Sequence, residues 1–253
     1  MPGRHLRPEC QKGDISERTA VKKPAAKVHC KMIKAALLDM DGTIYDTERL
    51  STEGWTYASS AIMGKPLSVE KINAFHGRNI EDNHRLFASW YGEDAPYYEI
   101  RRLRKDYIDQ KIREEGVPVK PGLYELLDTL KEKGIRICVA TGTARPTAEP
   151  YWEQTGVAPY LYTSICGDEV STSKPDPSIF LKAAEKCGCA PEECVIFEDS
   201  PNGLKAGHAA GSRLFLIPDT DPVTEEMLEL ADAVFDTLAD AAAVIRTWPD
   251  AAF

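Results

Sequence analysis

The sequence predicts an α/β protein built on a doubly wound parallel sheet. Short apolar runs of strand length alternate with amphipathic helical repeats from residue 35 onward. Strands that alternate with helices pair in parallel, and the helices cover both faces of the sheet. Hydrophobic residues make up 43% of the 253 residues. No apolar run approaches the ~20 residues that cross a bilayer, so we expect a globular protein without a membrane span.

Six apolar runs are the predicted strands. They cover residues 35–38, 135–140, 162–165, 195–197, 214–217 and 233–235. Helical repeats that end at a glycine lie between them, as in Leu123, Leu126, Leu127 and Leu130 before Gly134, and Ile179, Phe180, Ala183 and Ala184 before Gly188. This alternation sets the order of elements in the core.

The first and second predicted strands are far apart. Residues 44–134 separate them, whereas a whole βαβ unit needs only about 30 residues. A helical stripe runs through this gap, formed by Ile100, Leu103, Tyr107, Ile108 and Ile112. We therefore expect three parts: a flexible basic arm at 1–31, an α/β core at 32–46 and 119–253, and an inserted helical cap at 47–118.

The formal net charge of -9 is unevenly distributed. Residues 1–34 carry nine lysines and arginines against three acidic residues, so the remaining chain is strongly acidic. An acidic surface repels phosphate backbones and acidic lipids, so we expect neither nucleic acid nor membrane as a partner. The seven cysteines include no C-x-x-C pair, which favours a reduced, cytoplasmic protein. We expect a monomer or a weak homodimer, and a basic arm that is dispensable for activity.

Carboxylates follow two of the predicted strands. Asp39 and Asp41 come after the first strand, and Glu198 and Asp199 come after the fourth. Parallel strands bring these residues to one edge of the sheet. Two like charges about 4 Å apart repel by about 4 kcal/mol at an effective dielectric constant near 20, so the cluster needs a cation. Oxygen ligands without histidine or cysteine favour Mg²⁺ over zinc.

Two further motifs supply groups for a phosphate. Thr141 and Gly142 follow the second predicted strand, at the same edge of the sheet. Lys174 lies just before a helix that Asp176 can cap and Pro177 can open. A phosphate dianion would be repelled by the carboxylates unless both a divalent cation and Lys174 were present. The charges therefore predict a metal-dependent site.

These motifs resemble a known family in order and spacing. Asp39-Met40-Asp41-Gly42-Thr43, Thr141, Lys174 and Glu198-Asp199 are similar to the four motifs of the haloacid dehalogenase superfamily of phosphohydrolases. The stretches 46–48, 174–177 and 197–203 resemble its β-phosphoglucomutase-like branch. The resemblance covers residues 33–247. It implies a Rossmann-like core with a helical cap, acting as a magnesium-dependent phosphatase on a small phosphorylated metabolite, such as a sugar phosphate.

The resemblance also implies catalytic and metal-binding roles. Asp39 would be the nucleophile that forms an aspartyl phosphate, and Asp41 would be the general acid and base. Asp39, Asp199, Glu198 and the backbone carbonyl of Asp41 would hold Mg²⁺. An alternative for Glu198 is that it only orients Asp199 or a metal-bound water.

Substrate binding is expected from both parts of the protein. In the core, Thr141, Gly142 and Lys174 would hold the transferring phosphoryl group. In the cap, Arg78 could bind a distal group of the substrate, or could instead pair with a nearby acidic residue. Thr43 could act either as a core hydroxyl that bonds the loop or as a hinge for cap motion.

Three other functions remain as alternatives. A phosphosugar mutase shares every core motif, but that group carries a histidine ten residues after the second aspartate, where this chain has Ser51. A dehalogenase needs neither the second carboxylate nor a metal, and Asp41 is present. A catalytically idle phosphometabolite-binding protein would not need the full set of groups.

Overall fold

The protein folds around a six-stranded parallel sheet. The computed structural model describes residues 32–75, 80–220 and 222–251. Its strands are β1 (Ala35–Leu38), β2 (Arg136–Ala140), β3 (Thr163–Ile165), β4 (Cys194–Glu198), β5 (Arg213–Leu216) and β6 (Ala233–Val234). They are ordered β3-β2-β1-β4-β5-β6, and every neighbouring pair is parallel. The predicted doubly wound sheet is confirmed, and no strand end differs from the predicted one by more than a residue.

Helices connect the strands throughout the described part of the chain. They are α1 (Thr47–Met63), α2 (Val69–Asn73), α3 (Ile80–Tyr91), α4 (Tyr97–Glu115), α5 (Leu123–Glu132), α6 (Arg145–Thr155), α7 (Ser178–Lys186), α8 (Pro201–Ala210), α9 (Glu225–Leu230) and α10 (Leu238–Ile245). No described helix combines the length and the apolar character that a bilayer crossing requires.

β1 lies in the middle of the sheet and organises both faces. Its side chains alternate, so Ala36 and Leu38 join a hydrophobic cluster with residues of α5 and α10. Ala35 and Leu37 join a second cluster on the opposite face, with residues of α7 and α8. Both faces of a central parallel strand are apolar because helices cover each side. The result is a three-layered core.

The register of β1 determines which loops meet. Leu38, its last residue, pairs with Val139 of β2 and with Phe197 of β4. The loops that follow these three strands therefore emerge at the same edge of the sheet. In an open α/β sheet, this carboxyl edge is where ligands bind.

Helices α1–α4, which we call the cap, lie between β1 and α5 in the chain. They contain their own hydrophobic cluster, in which Trp55, Phe75, Phe87 and Tyr97 are buried. The predicted stripe on α4 serves two clusters, because Ile100 and Leu103 pack in the cap, whereas Tyr107, Ile108 and Ile112 pack with the core.

The two segments that connect the cap to the core run side by side. The Asp46 N–H donates to the carbonyl of Pro118 (2.9 Å), and the Lys120 N–H donates to the carbonyl of Ile44 (3.0 Å). These bonds pair the chain as it enters the cap with the chain as it leaves. The cap is thereby held close to the carboxyl edge of the sheet.

Candidate active site

Asp39 lies directly beyond the central strand. Its N–H donates to the carbonyl of Phe197 (3.0 Å), which extends the pairing of β1 with β4 by one residue. The chain then turns at Gly42, which has φ +82°. A Cβ atom at Gly42 would lie 2.3 Å from Oδ2 of Asp199, so only glycine allows this turn to lie against Asp199.

Asp41 is held between the cap and the core. One carboxylate oxygen accepts a hydrogen bond from the Thr47 hydroxyl of α1 (2.8 Å). The other oxygen accepts one from the Thr143 hydroxyl in the loop after β2 (2.6 Å). Two donors from separate elements therefore fix the orientation of this carboxylate.

Lys174 joins two of the predicted carboxylates. Its ammonium group contacts Asp39 and donates to Oε1 of Glu198 (2.6 Å), with the Ala140 carbonyl at 3.4 Å. Desolvation lowers the pKa of Lys174, but attraction to Asp39 and Glu198 outweighs it, and the pKa lies above its ordinary value. Lys174 therefore carries a full positive charge at the sheet edge.

The loop that carries Lys174 leads directly into α7. We expected this helix to open at Pro177, but it begins at Ser178. Asp176 still satisfies the start of the helix, because its carboxylate accepts a hydrogen bond from the Ser178 N–H (2.9 Å). This turn holds the Lys174 backbone in place.

Glu198 uses both of its carboxylate oxygens inside the protein. Oε1 accepts from Lys174, and Oε2 accepts from the N–H of Asp199 and from the N–H and hydroxyl of Ser200, each at 3.0 Å. The residue is 1% exposed. These contacts favour the alternative in which Glu198 orients Lys174 and the Asp199 loop, rather than direct coordination of a metal ion.

Gly203 explains how α8 can approach Glu198 so closely. A Cβ atom at this position would lie 1.8 Å from the carboxylate carbon of Glu198. Because the helix carries no side chain there, its first turn packs directly over the carboxylate. The Gly203 N–H donates to the Ser200 hydroxyl (3.0 Å), which caps α8.

Asp199 lines the same cleft as Asp39. Its Oδ1 accepts a hydrogen bond from the hydroxyl of Thr43 (2.9 Å), a residue with no exposed surface. Thr43 is thus a buried hydroxyl that holds Asp199 in position. Burial, with repulsion from Glu198 and Asp39, raises the pKa of Asp199 above its usual range.

Asp39 is also difficult to ionise without a cation. Burial raises its pKa from 3.8 to about 8, because desolvation and repulsion from Glu198 and Asp41 outweigh the attraction of Lys174. Two carboxylates that resist ionisation in one cleft form a site that a positive ion would stabilise. The electrostatics therefore suit a cation.

The donor set fits Mg²⁺. Within residues 32–75, 80–220 and 222–251, no three His, Cys, Asp or Glu side chains form a complete set of metal ligands. Mg²⁺ commonly takes only one or two carboxylates and fills its remaining positions with waters and substrate phosphate. Asp39 and Asp199 supply such a pair. The Asp41 side chain is bound by two hydroxyls, so its backbone carbonyl is the group left for a cation.

The loop after β2 is held in place by hydrogen bonds and lines the same cleft. The Thr141 N–H continues the sheet by donating to the Ile165 carbonyl (3.0 Å), and the Thr141 hydroxyl accepts from the Thr143 N–H (3.0 Å). A Cβ atom at Gly167 would lie 2.0 Å from the carbonyl oxygen of Gly142. The loop after β2, which contains Gly142, and the loop after β3, which contains Gly167, are therefore in close backbone contact.

One cleft of about 720 Å³ contains most of the predicted site. Its lining includes Asp39, Asp41, Thr141, Gly142, Lys174 and Asp199 from the core. Glu48 and Asn73 of the cap also line it. Glu198 lies beneath Lys174, and Arg78 is outside the described residues.

A comparison of the sequence with protein families agrees with this geometry. The family model for haloacid dehalogenase-like hydrolases matches residues 33–211. The chain belongs to this hydrolase family. Because the match spans β1 to the end of α8, it includes every predicted core residue of the site.

Individual relatives of this hydrolase span most of its length. It is 30% identical over 207 residues to hexitol phosphatase A of Escherichia coli, covering 81% of this chain and 91% of the relative. It is 30% identical over 182 residues to a phosphorylated carbohydrates phosphatase of Thermotoga maritima, covering 71% and 82% of the two chains. The crystal structure of CbbY from Rhodobacter sphaeroides in complex with phosphate is 28% identical, with a TM-score of 0.67, covering 83% and 96%.

Arg104 of the hydrolase was missed by the sequence analysis. It extends from α4, and its guanidinium donates to the Ser51 hydroxyl of α1 (2.5 Å). Its Nε is buried without a hydrogen-bond partner, and burial lowers the pKa of the group. Position 51, where the mutases carry histidine, thus holds a serine bound to an arginine. The two residues are 53 positions apart, and no local motif signals their contact.

Asp219 of the hydrolase was missed as well. It follows β5, and its carboxylate accepts a hydrogen bond from the Lys120 ammonium (2.6 Å). The only sequence signal is its place just beyond the apolar run 214–217, which is the signal that identified the other carboxylates. Thr143, which donates to Asp41, immediately follows Gly142 and was likewise not assigned a role.

Proposed function

We propose that this hydrolase is a Mg²⁺-dependent phosphatase that releases phosphate from a small, hydroxyl-rich phosphomonoester. The observation that carries the proposal is the contact of Asp39 with Lys174 at the base of a cleft that Asp199 shares. A carboxylate nucleophile, a lysine and a cation-binding carboxylate together suit phosphoryl transfer. The phosphatase names of two relatives support the same reaction.

Asp39 is the proposed nucleophile. Lys174 holds one of its carboxylate oxygens, which leaves the other oxygen for attack on phosphorus. A new bond forms between this oxygen and phosphorus as the ester P–O bond breaks, giving an aspartyl phosphate and the leaving alcohol. Water then attacks phosphorus, which releases inorganic phosphate and regenerates Asp39. When bound, Mg²⁺ supplies the charge that keeps the carboxylates ionised and neutralises the phosphoryl oxygens.

Asp41 is the proposed general acid and base. It lies two residues beyond Asp39 and lines the same cleft. Its protonated carboxyl donates a proton to the oxygen of the leaving alcohol, and the resulting carboxylate then accepts a proton from the attacking water. The hydroxyls of Thr47 and Thr143 orient it for both steps.

The remaining groups hold the phosphoryl group as charge develops. Lys174 carries a positive charge beside the position of attack, held there by Glu198. The Thr141 hydroxyl and the backbone of Gly142 face the same cleft and can bind the equatorial oxygens. These contacts are preorganised, because Thr141 continues the strand pairing.

The other polar residues that line the cleft indicate the class of leaving group. Its lining includes Glu48, Asn73, Thr172, Asn202 and Thr220. Carboxylate, amide and hydroxyl groups of this kind form hydrogen bonds with the hydroxyls of a sugar or polyol. A large apolar leaving group could form no hydrogen bonds with these polar side chains. A sugar or polyol phosphate therefore fits the cleft best.

Phosphate release from a panel of sugar and polyol phosphates, with p-nitrophenyl phosphate as a general substrate, tests the proposal. We expect Mg²⁺-dependent release that Asp39→Asn reduces by at least about 10³-fold. Asp128→Asn is the matched control, because Asp128 is a surface carboxylate that accepts a hydrogen bond from Tyr160. Equal inactivity of the wild type and Asp39→Asn across the whole panel would reject the phosphatase.

The same assay separates the alternatives. A mutase would convert β-glucose 1-phosphate to glucose 6-phosphate when a bisphosphate activator is present. The Ser51–Arg104 contact in place of a histidine argues against that activity. We expect free phosphate as the only product, which would exclude the mutase, and any turnover would exclude a catalytically idle binding protein.

A further inference from the structure

Asp219 lies beside the candidate cation site on a loop that follows β5. This loop runs next to the Asp199 loop, because the Ile217 N–H donates to the carbonyl of Glu198 (2.8 Å). Oδ1 of Asp219 accepts from the Lys120 ammonium (2.6 Å), and the carboxylate side chain is 8% exposed. Oδ2, the second oxygen, is buried and has no hydrogen-bond partner.

The unpartnered oxygen of Asp219 lies near the Asp199 carboxylate. A Cβ atom built on Gly42 would lie 2.3 Å from Oδ2 of Asp199 and 3.1 Å from Oδ2 of Asp219. Both carboxylate oxygens therefore lie next to Gly42 and close to each other. Repulsion from Asp219 is also among the causes that raise the pKa of Asp199, after burial, Glu198 and Asp39.

A buried carboxylate oxygen without a donor is unfavourable, and most such groups in proteins have a partner. Lys120 satisfies only one oxygen of Asp219 and neutralises its charge. The second oxygen can accept one more hydrogen bond, and it lies close to the Asp199 carboxylate. Waters bound to a divalent cation are strong donors, because the ion withdraws electron density from their O–H bonds.

We propose that Asp219 is a positioning residue, whose Oδ2 accepts a hydrogen bond from a water bound to the cation at Asp39 and Asp199. This inference rests on the proposed Mg²⁺-dependent function. Asp219 orients that water without coordinating the ion. Removing an outer partner of this kind typically weakens metal binding by about 10- to 100-fold.

Isothermal titration of the full-length protein with MgCl₂, without substrate, tests this role. We expect Asp219→Asn to bind Mg²⁺ about 10-fold or more weakly than the wild type. Lys120→Met is the matched control, because it breaks the same ion pair but retains the Asp219 carboxylate. A purely structural role for the ion pair predicts the same change in Mg²⁺ affinity for both variants. The positioning role predicts weaker binding only for Asp219→Asn.

A double variant keeps the test valid if Asp219→Asn alone folds poorly. Asp219→Asn with Lys120→Met removes both charges, so neither is left buried without its partner, and it should still bind Mg²⁺ more weakly than Lys120→Met. Equal Mg²⁺ affinity in the wild type and in every folded Asp219 variant would overturn the inference and leave the phosphatase proposal intact. A wild-type protein that binds no Mg²⁺ would instead overturn the Mg²⁺-dependent function and this role together.

Discussion

Replacing Gly203 with alanine perturbs the point where α8 packs on Glu198. The new Cβ atom would lie 1.8 Å from the carboxylate carbon and 2.2 Å from Oε2 of Glu198. Non-bonded heavy atoms normally stay about 3.5–4.0 Å apart. Glu198 or the first turn of α8 must therefore move by on the order of 1–2 Å. This displacement exceeds what a hydrogen bond tolerates.

The energetic cost follows from the partners that Glu198 would lose. Its carboxylate accepts from Lys174, Asp199 and Ser200 while being 1% exposed. Depriving a buried charge of its partners costs about 3–5 kcal/mol. Alanine returns only about 1 kcal/mol through its better helix propensity. We expect the free energy of unfolding to fall by about 2–4 kcal/mol.

Urea denaturation and Mg²⁺-dependent phosphate release measure the two consequences. Gly207→Ala is the matched control, since it adds the same methyl group one turn later on α8, at 2.4 Å from Leu214 Cδ2. That neighbour is apolar and flexible, so we expect the control to lose about 1–3 kcal/mol of stability and to keep its turnover. Gly203→Ala should lose both stability and turnover. If Gly203→Ala matched the wild type in stability and turnover, the proposed packing of α8 on Glu198 would be refuted.

Two other predictions concern the carboxylates. Because burial raises the pKa of Asp39 from 3.8 to about 8, the folded metal-free protein binds more protons than the unfolded chain between these values. The free energy of unfolding of the metal-free protein should therefore fall as the pH rises through this window, and bound Mg²⁺ should make it less dependent on pH. Thermal melts over this pH range, with EDTA or with MgCl₂, measure the effect. A melting temperature that does not change with pH in EDTA would contradict the prediction. Thr43→Val removes the hydroxyl that donates to Asp199, so it should lower the free energy of unfolding by about 1–3 kcal/mol. Thr43→Ser keeps this hydroxyl and should retain most of the wild-type stability. Urea denaturation of both variants measures this difference. Equal stability of Thr43→Val and Thr43→Ser would contradict the hydrogen bond from Thr43 to Asp199.

The architecture of the core could be predicted because its signals are local. Each strand is a short apolar run, and each parallel strand delivers the residues that follow it to the same edge of the sheet. Asp39 and Asp199 could thus be placed near each other from sequence position alone, although 160 residues separate them. The cap could be anticipated from length, because the gap before β2 exceeds what one crossover helix needs.

Contacts between distant side chains could not be predicted in this way. Lys120 and Asp219 are 99 positions apart, and neither belongs to a recognisable motif. The role of Glu198 depends on its burial under Gly203, and strand periodicity does not reveal that a helix packs over the last residue of a strand. Arg104 lies in a helix rich in charged residues, and no local pattern indicates its contact with Ser51.

The aromatic cluster of the cap has a consequence for how new specificities arise. Trp55, Phe75, Phe87 and Tyr97 share no member with the clusters that flank the sheet. Substitutions within this aromatic cluster therefore act mainly on the packing of the cap and not on the packing of the sheet. Such substitutions can change the part of the cap that lines the cleft and leave Asp39, Asp41 and Asp199 in place. This separation would let related enzymes keep one reaction and acquire different substrates.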